Sequence, residues 1–147
     1  MQTPPSSPPD FALRAGASIA LFKDRKVLLV RRKHAPFAGL WSLPGGKAEG
    51  QETPRETACR ELKEETGLEA EIAGVVDRVR VAAEDAEAGS KGYRLTVFYG
   101  LPRGGSLKAG GDIEAAEWVH LDDIEALPMT PGTIELIWVA AHRVRMC

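Results

Sequence analysis

The chain contains 147 residues, of which 19 are basic and 21 acidic, so its formal net charge at pH 7 is −2. Hydrophobic residues make up 44% and charged residues 27%, the balance expected of a soluble globular protein with one compact domain. The near-neutral charge argues against a surface that binds nucleic acid or membranes in general. A small-molecule ligand is more compatible with this charge.

The ends of the chain and its cysteines predict the compartment. Residues 1–12 are rich in Pro and Ser, which predicts a flexible tail before a single domain over residues 13–147. The N-terminus lacks the charged and apolar regions of a signal peptide, and no apolar run approaches the roughly 20 residues that span a bilayer. Cys59 and Cys147 form no CxxC motif, so we expect a cytoplasmic protein.

The hydrophobic pattern predicts strands, which we place at residues 15–22, 26–32, 41–43, 72–81, 93–101 and 116–121. The first two are expected to form a hairpin, and Gly45-Gly46 to be a backbone bend. Residues 82–92 and 102–111 are predicted to be loops. Because strands and helices follow in this order, we expect an α/β fold with helices on both sides of a mixed sheet.

Helix signals stand out at three places. Thr53 is predicted as an N-cap, with Pro54 at the first helical position and Glu56 completing a capping box, and this helix should end at Gly67. A short helix is predicted to begin at Asp122-Asp123. A last helix is expected from Thr130-Pro131 to about Val144. Its core face would carry Ile134, Ile137, Trp138 and Ala141.

Three glutamates share one face of the first predicted helix. Glu61, Glu64 and Glu65 stand at i, i+3 and i+4, where like charges oppose helix formation by roughly 0.2–0.5 kcal/mol per pair. Arg60 and Lys63 are expected to offset this repulsion only partly. A cation is the obvious compensation, because Mg²⁺ prefers carboxylate oxygens, waters and substrate phosphates. An acidic surface face would be the alternative interpretation.

The segment from Gly46 to Leu68 resembles the Nudix signature, G-x5-E-x7-R-E-U-x-E-E-x-G-U, in which U is a bulky aliphatic residue. All its fixed positions are met, by Gly46, Glu52, Arg60, Glu61, Leu62, Glu64, Glu65, Gly67 and Leu68. Such agreement is far more specific than a lone GxGxxG. The resemblance implies a Nudix hydrolase with an α/β/α sandwich around a mixed sheet.

The resemblance also implies a role for each residue of the signature. Glu61, Glu65 and Glu64 would bind Mg²⁺, for which Mn²⁺ could substitute, and the catalytic residues would be Glu64, Glu61 and Arg60. The carbonyl of Gly45 or Gly46 would be a further ligand. Arg60 would pair with glutamate and hold the helix to its loop. Glu52 would support the ligands or occasionally bind metal itself.

Roles for residues outside the signature are predicted from what is common among Nudix proteins. A further metal ligand or base often comes from a later loop, and the candidates are Asp112, Glu114 and Glu117. Arg31 and Arg32 are candidates for binding phosphate. Trp41, Phe37 and Tyr93 are candidates for stacking on a base, whereas Trp118 and Trp138 are expected in the core. A homodimer is also expected from family habit.

The expected reaction is hydrolysis of a diphosphate linkage in a nucleoside diphosphate derivative, with ADP-ribose or a related compound preferred by analogy. One alternative is a nucleoside triphosphate pyrophosphohydrolase. Within this alternative, an enzyme selective for oxidised dGTP is less favoured, because such enzymes commonly bind the base through an asparagine and the chain contains none. An alternative of another class is a non-catalytic nucleotide-binding module, which usually has a degraded signature.

Overall fold

The structure is a computed structural model that describes residues 13–81 and 92–144. The predicted tail at residues 1–12 and nearly all of the predicted loop at 82–92 lie outside the described residues. None of the helices within those two ranges is long and apolar enough to cross a membrane.

The strands form one mixed sheet. They are β1 (Arg14–Lys23), β2 (Lys26–Arg32), β3 (Trp41–Ser42), β4 (Gly45–Lys47), β5 (Leu68–Val81), β6 (Tyr93–Gly105) and β7 (Ile113–His120). The order is β3-β2-β1-β6-β5, with β4 paired to β1 and β7 to β2. β1 and β6 run parallel, whereas the other pairs are antiparallel, including the predicted hairpin of β1 and β2.

Two helices cover opposite faces of this sheet, α1 (Pro54–Thr66) and α2 (Thr133–Arg143), and a 3₁₀ segment spans Leu121–Ala126. Ala58 and Leu62 of α1 pack in one buried cluster. Ile137, Ala140 and Ala141 of α2 pack in the other. The predicted α/β/α sandwich is therefore confirmed. Trp118 and Trp138 are partly buried against these clusters, as expected of core residues.

Helix α1 follows its local signals. The Thr53 side chain accepts a hydrogen bond from the Glu56 amide at 3.1 Å, and the Glu56 carboxylate accepts one from the Thr53 amide at 2.9 Å. Gly67 ends the helix at φ 75°, a left-handed conformation that glycine adopts without steric cost. The predicted start and end of this helix are therefore confirmed.

Several predictions of local structure were wrong. Strands β5 and β7 begin at Leu68 and Ile113 and not at residues 72 and 116. Gly45-Gly46 is the start of strand β4 and not a bend, because both residues pair with β1. β6 continues through Pro102 to Gly105 instead of ending at residue 101, because β5 pairs along that length. The last helix begins at Thr133 and not at Thr130, because the Thr130 amide donates to the Trp41 carbonyl at 2.9 Å.

Candidate active site

Strand β4 and helix α1 meet where the signature glycines face the signature glutamates. The Gly45 amide donates to Oε1 of Glu65 at 2.9 Å. A Cβ atom on Gly46 would overlap the carboxylate of Glu61, and one on Gly45 would overlap the carbonyl of Ala17. Glycine is therefore needed at both positions so that β4 can lie against both β1 and the acidic face of α1.

Arg60 is the centre of a hydrogen-bond network on this face. Its Nε and Nη2 donate to the two carboxylate oxygens of Glu52 at 2.7 and 3.0 Å. Its Nη1 donates to Glu61 at 2.6 Å and to Glu64 at 3.2 Å. Its Nη2 also donates to the Lys47 carbonyl at 3.0 Å. The Arg60 guanidinium therefore turns into the cluster, where its single positive charge is shared among three hydrogen-bonded carboxylates.

Glu52 is fully engaged by its neighbours. Besides Arg60, its carboxylate accepts hydrogen bonds from the Glu49 amide at 2.9 Å and the Thr57 hydroxyl at 3.0 Å. Hydrogen bonds from Arg60 and the Glu49 backbone lower the pKa of Glu52 to about 2. This carboxylate fixes the loop before α1 to the helix, which matches the supporting role that the resemblance implies.

The carboxylates of Glu61 and Glu65 lie partly buried against β4, and their pKa values are shifted in the opposite direction from that of Glu52. Burial raises the pKa of Glu65 to about 8, against the lowering effect of the Gly45 hydrogen bond. Burial likewise raises the pKa of Glu61. Glu64 is more exposed, at 54% of its side-chain surface. Two carboxylates that resist ionisation side by side form a place where a cation is electrostatically favoured.

A cleft of about 790 Å³ opens over these two carboxylates. Its floor includes Gly45, Gly46, Glu61 and Glu65. The side chains around that floor include Arg14, Arg32, His34, Phe37, Lys47, Arg80, Tyr93, Asp112, Thr130 and Thr133. Its volume lies in the range of small-molecule sites, which are typically roughly 300–1,000 Å³. Cations and aromatic rings thus surround an acidic floor.

The loop between β6 and β7 is docked on the C-terminal end of α1. The Gly110 amide donates to the Glu65 carbonyl at 3.1 Å, and the Lys108 amide donates to the Thr66 carbonyl at 2.9 Å. Asp112 follows and lines the cleft, with its side chain 89% exposed. Glu114 instead pairs with Arg31 at 2.7 Å, and Glu117 is exposed on β7 away from the cleft lining.

The two arginines at the end of β2 have different surroundings. Arg32 lines the cleft, and its Nε donates to the Pro36 carbonyl at 2.8 Å. Arg31 is not among the described residues that line the cleft, and it packs over the Trp41 ring at 5.5 Å. Trp41 is 6% exposed and belongs to the core next to α2. The structure therefore brings Arg32 to the cleft but neither Arg31 nor Trp41.

The family assignment follows from the match of the whole domain. The NUDIX domain profile matches residues 12–137, which covers most of the described chain. The chain belongs to the Nudix family. Its signature lies on the β4–α1 unit that forms the floor of the cleft, so the segment that resembles the family is also the segment with the two partly buried carboxylates.

Known Nudix proteins similar to this chain have more than one activity in their names. It is 38% identical over 106 residues to an ADP-ribose pyrophosphatase of Methanocaldococcus jannaschii, covering 71% of this chain and 60% of that protein. It is 31% identical over 116 residues to the CTP pyrophosphohydrolase of Escherichia coli, covering 78% and 82%. A MutT NUDIX hydrolase structure from Burkholderia pseudomallei matches with a TM-score of 0.75 and 31% identity, covering 85% and 95%.

Nudix hydrolases generally use divalent metal ions, and the residues at this site suit such an ion. Among residues 13–81 and 92–144, no group of three or more His, Cys, Asp or Glu is arranged to hold a metal. Glu61 and Glu65, however, both reach the β4 backbone, and Gly46 has a carbonyl there. Mg²⁺ is usually bound by one or two carboxylates, with waters and substrate phosphates completing the shell. The donor set therefore fits a hard cation that binds together with its substrate.

Several residues of this Nudix cleft were not identified from the sequence. Arg14, Lys47 and Arg80 line it from β1, β4 and β5, and Thr130 and Thr133 line it near the start of α2. No local pattern marks these positions, because they meet only through sheet pairing and the path of the chain before α2. Phe37 and Tyr93, by contrast, were predicted as stacking candidates, and both line the cleft.

Proposed function

We propose that this Nudix domain hydrolyses the diphosphate linkage of a nucleoside diphosphate derivative in the presence of Mg²⁺, with ADP-ribose or a related compound as the preferred substrate. One observation carries the proposal. Two carboxylates that burial disfavours as anions, Glu61 and Glu65, lie side by side at the glycine backbone of β4, on the floor of the substrate-sized cleft. A divalent ion and a diphosphate complement this arrangement in charge.

The roles of the residues follow from their contacts. Glu61 and Glu65, with the Gly46 carbonyl, would hold the metal ion. When bound, the ion would neutralise charge on the diphosphate and lower the pKa of a water. Glu64 is the most exposed of the three helix glutamates and would be a further ligand or the general base. Arg60 touches Glu52, Glu61 and Glu64 and would keep their carboxylates in place.

Substrate contacts are proposed from the residues that line the cleft. Arg32 would bind a phosphate, since its guanidinium suits phosphate oxygens. The rings of Phe37 and Tyr93 would stack on a base or cover a sugar. Asp112 is the best placed of the later acids, because Glu114 is paired with Arg31. Arg31 and Trp41 are not proposed to touch the substrate.

The choice of ADP-ribose is supported by relatives. The relative from Methanocaldococcus jannaschii is named an ADP-ribose pyrophosphatase, although this chain spans only 60% of its length. The NUDIX domain of Shewanella oneidensis NrtR, in a structure with ADP ribose, matches with a TM-score of 0.73 and 26% identity. A second candidate is triphosphate pyrophosphohydrolysis, which is favoured by the CTP pyrophosphohydrolase relative, of which this chain covers 82%.

A product assay tests the proposal. The purified protein would be incubated with Mg²⁺ and ADP-ribose, CTP, oxidised dGTP or a dinucleotide, with Glu65→Gln as the control. Release of AMP from ADP-ribose that is lost in the variant would support the proposal. Pyrophosphate release from a triphosphate would retain the mechanism and select the second candidate. Nucleotide binding without turnover would instead select a non-catalytic binding module.

The oligomeric state and the cellular location are also part of this proposal. A homodimer is expected from the resemblance, and a cytoplasmic location from the cysteine pattern and the N-terminal sequence. Size-exclusion chromatography with light scattering would test the dimer, which predicts twice the chain mass of 15.9 kDa. Fractionation of cells that express the tagged chain would test the location.

A further inference from the structure

Arg31 lies in the middle of a row of residues that crosses neighbouring segments of the sheet. On one side, its Nε donates to Oε1 of Glu114 at 2.7 Å. On the other side, its guanidinium carbon lies 5.5 Å from the centre of the Trp41 ring. Arg31 and Trp41 are paired residues of β2 and β3, and such pairs face the same side of a sheet. One arginine therefore joins a residue of β7 to a residue of β3.

Glu114 is the extra residue of a β-bulge. Arg31 pairs with Ala115 and Arg32 pairs with Ile113, so Glu114 has no partner of its own in the β2–β7 register. Bulges next to active sites bend a strand and redirect its side chains. This bulge comes two residues after Asp112, which lines the cleft. The ion pair with Arg31, together with the hydrogen bond from the Lys33 amide to the Asp112 carbonyl at 3.1 Å, therefore holds the segment that brings Asp112 to the cleft.

Trp41 holds the opposite wall through its backbone. Its amide donates to the Pro128 carbonyl at 2.8 Å, and its carbonyl accepts from the Thr130 amide at 2.9 Å. The hydroxyl oxygens of Thr130 and Thr133 lie 2.5 Å apart, and both residues line the cleft. The position of Trp41 therefore determines where the chain enters α2 beside the cleft.

We propose that Arg31 is a positioning residue for substrate binding. Through Glu114 and Trp41, it fixes two walls of the cleft, residues 112–114 and 128–133, without touching the substrate. The kinetic part of its test rests on the proposed function, whereas the structural part does not.

The ion-pair partner separates this role from direct contact. If Arg31 bound the substrate itself, Glu114→Ala would release its guanidinium and leave KM unchanged or lower it. If Arg31 positions the walls, Glu114→Ala removes the link to residues 112–114, and Arg31→Met removes that link together with the contact on Trp41, so both raise KM. The double variant would then be no worse than Arg31→Met, because Glu114→Ala removes only a link that Arg31→Met has already removed.

The experiment compares full-length wild type, Arg31→Met, Glu114→Ala and the double variant. Arg103→Met is the control, because Arg103 forms a 3.8 Å exposed pair with Glu69 outside the cleft lining. Amide hydrogen exchange of Thr130 is measured without substrate, and KM and kcat are measured with ADP-ribose or whichever panel substrate the wild type cleaves. Unfolding temperatures establish that each variant is folded.

We expect Thr130 to exchange about tenfold faster in Arg31→Met and in the double variant, and at the wild-type rate in Arg103→Met. We expect KM to rise about five- to tenfold in both single variants and in the double variant while kcat stays within about twofold. Unchanged Thr130 exchange in Arg31→Met would overturn the proposal, as would a KM that rises only in Arg31→Met. If the wild type cleaves nothing, the proposed function fails and the exchange of Thr130 alone decides this proposal.

Discussion

The carboxylate of Glu61 occupies the space that a side chain on Gly46 would need. This relationship explains why a glycine stands at the first fixed position of the signature. Gly46 does not adopt a left-handed conformation, so its lack of a Cβ serves close approach and not backbone flexibility. The same contact brings the backbone of β4 next to a partly buried acid of α1.

Gly46→Ala should therefore reduce activity by displacing Glu61. We expect kcat/KM to fall by about a hundredfold, since a displacement of about 1 Å can cost that much, while the protein remains folded. The check is steady-state kinetics with circular dichroism. In a Glu61→Gln background the same change should cost little more. A full further hundredfold loss there would show that Gly46 acts by another route.

Arg60→Met should destabilise the protein and lower its activity, because five acceptor oxygens on four residues lose their hydrogen bonds to the guanidinium. We expect the unfolding temperature to fall by about 5 °C. Arg60→Lys should recover only part of it, because an ammonium cannot donate to both oxygens of Glu52 and also reach Glu61. Full recovery by lysine, measured by thermal denaturation, would contradict the role of the guanidinium geometry.

The raised pKa of Glu65 predicts a pH effect in metal-free protein. The folded protein holds a proton on Glu65 up to about pH 8, whereas the unfolded chain releases it near the ordinary value of 4.5. Protonation of Glu65 therefore stabilises the folded state. This stabilisation is fully present below the pKa of Glu65 in the unfolded chain, and it is lost as the pH rises through the pKa of Glu65 in the folded protein. The Glu65→Gln side chain does not titrate, so the stability of this variant does not fall in this way, and its side chain can still accept the hydrogen bond from the Gly45 amide.

Unfolding temperatures of wild type and Glu65→Gln, measured in EDTA from about pH 5 to about pH 9, check this effect. We expect the variant to gain stability relative to wild type as the pH rises. A difference that does not change across this range would mean that the Glu65 carboxylate is not penalised by burial.

Gly110→Ala should disturb the site from the opposite end of α1. A Cβ on Gly110 would lie 2.5 Å from the Glu64 carbonyl, which is backbone and cannot turn away. We expect about a tenfold loss of kcat/KM, because the loop must leave the helix end or shift it. Gly104→Ala is a matched control, since its nearest atom is the flexible end of Glu69 at 3.7 Å. Equal losses in the two variants would count against the loop docking.

The parts of the fold that could be predicted are those with local causes. Helix α1 begins at Thr53-Pro54 and ends before Gly67 because capping hydrogen bonds and a left-handed glycine act within a few residues. Strand β4 could not be predicted in this way, since a Gly-Gly pair has little strand preference of its own. It becomes a strand only because β1 lies beside it.

The candidate site divides in the same way. The signature glutamates and Arg60 could be predicted because one helix and its preceding loop hold them together. Arg31 and Arg32 could not be told apart, since adjacent strand residues point to opposite faces and the sequence does not say which face meets the cleft. The packing of Trp41 in the core and the bulge at Glu114 decide that question.

The Mg²⁺ dependence of turnover in wild type, Glu61→Gln and Glu65→Gln shows whether these two carboxylates hold a catalytic metal ion. Glu71→Gln is the control, because Glu71 is exposed on β5 outside the cleft lining. We expect EDTA to abolish cleavage, Glu71→Gln to match wild type, and the two site variants to lose at least about a hundredfold in kcat at saturating Mg²⁺. Cleavage that persists in EDTA, or site variants that keep the wild-type rate, would contradict the proposal that Glu61 and Glu65 hold a catalytic metal ion.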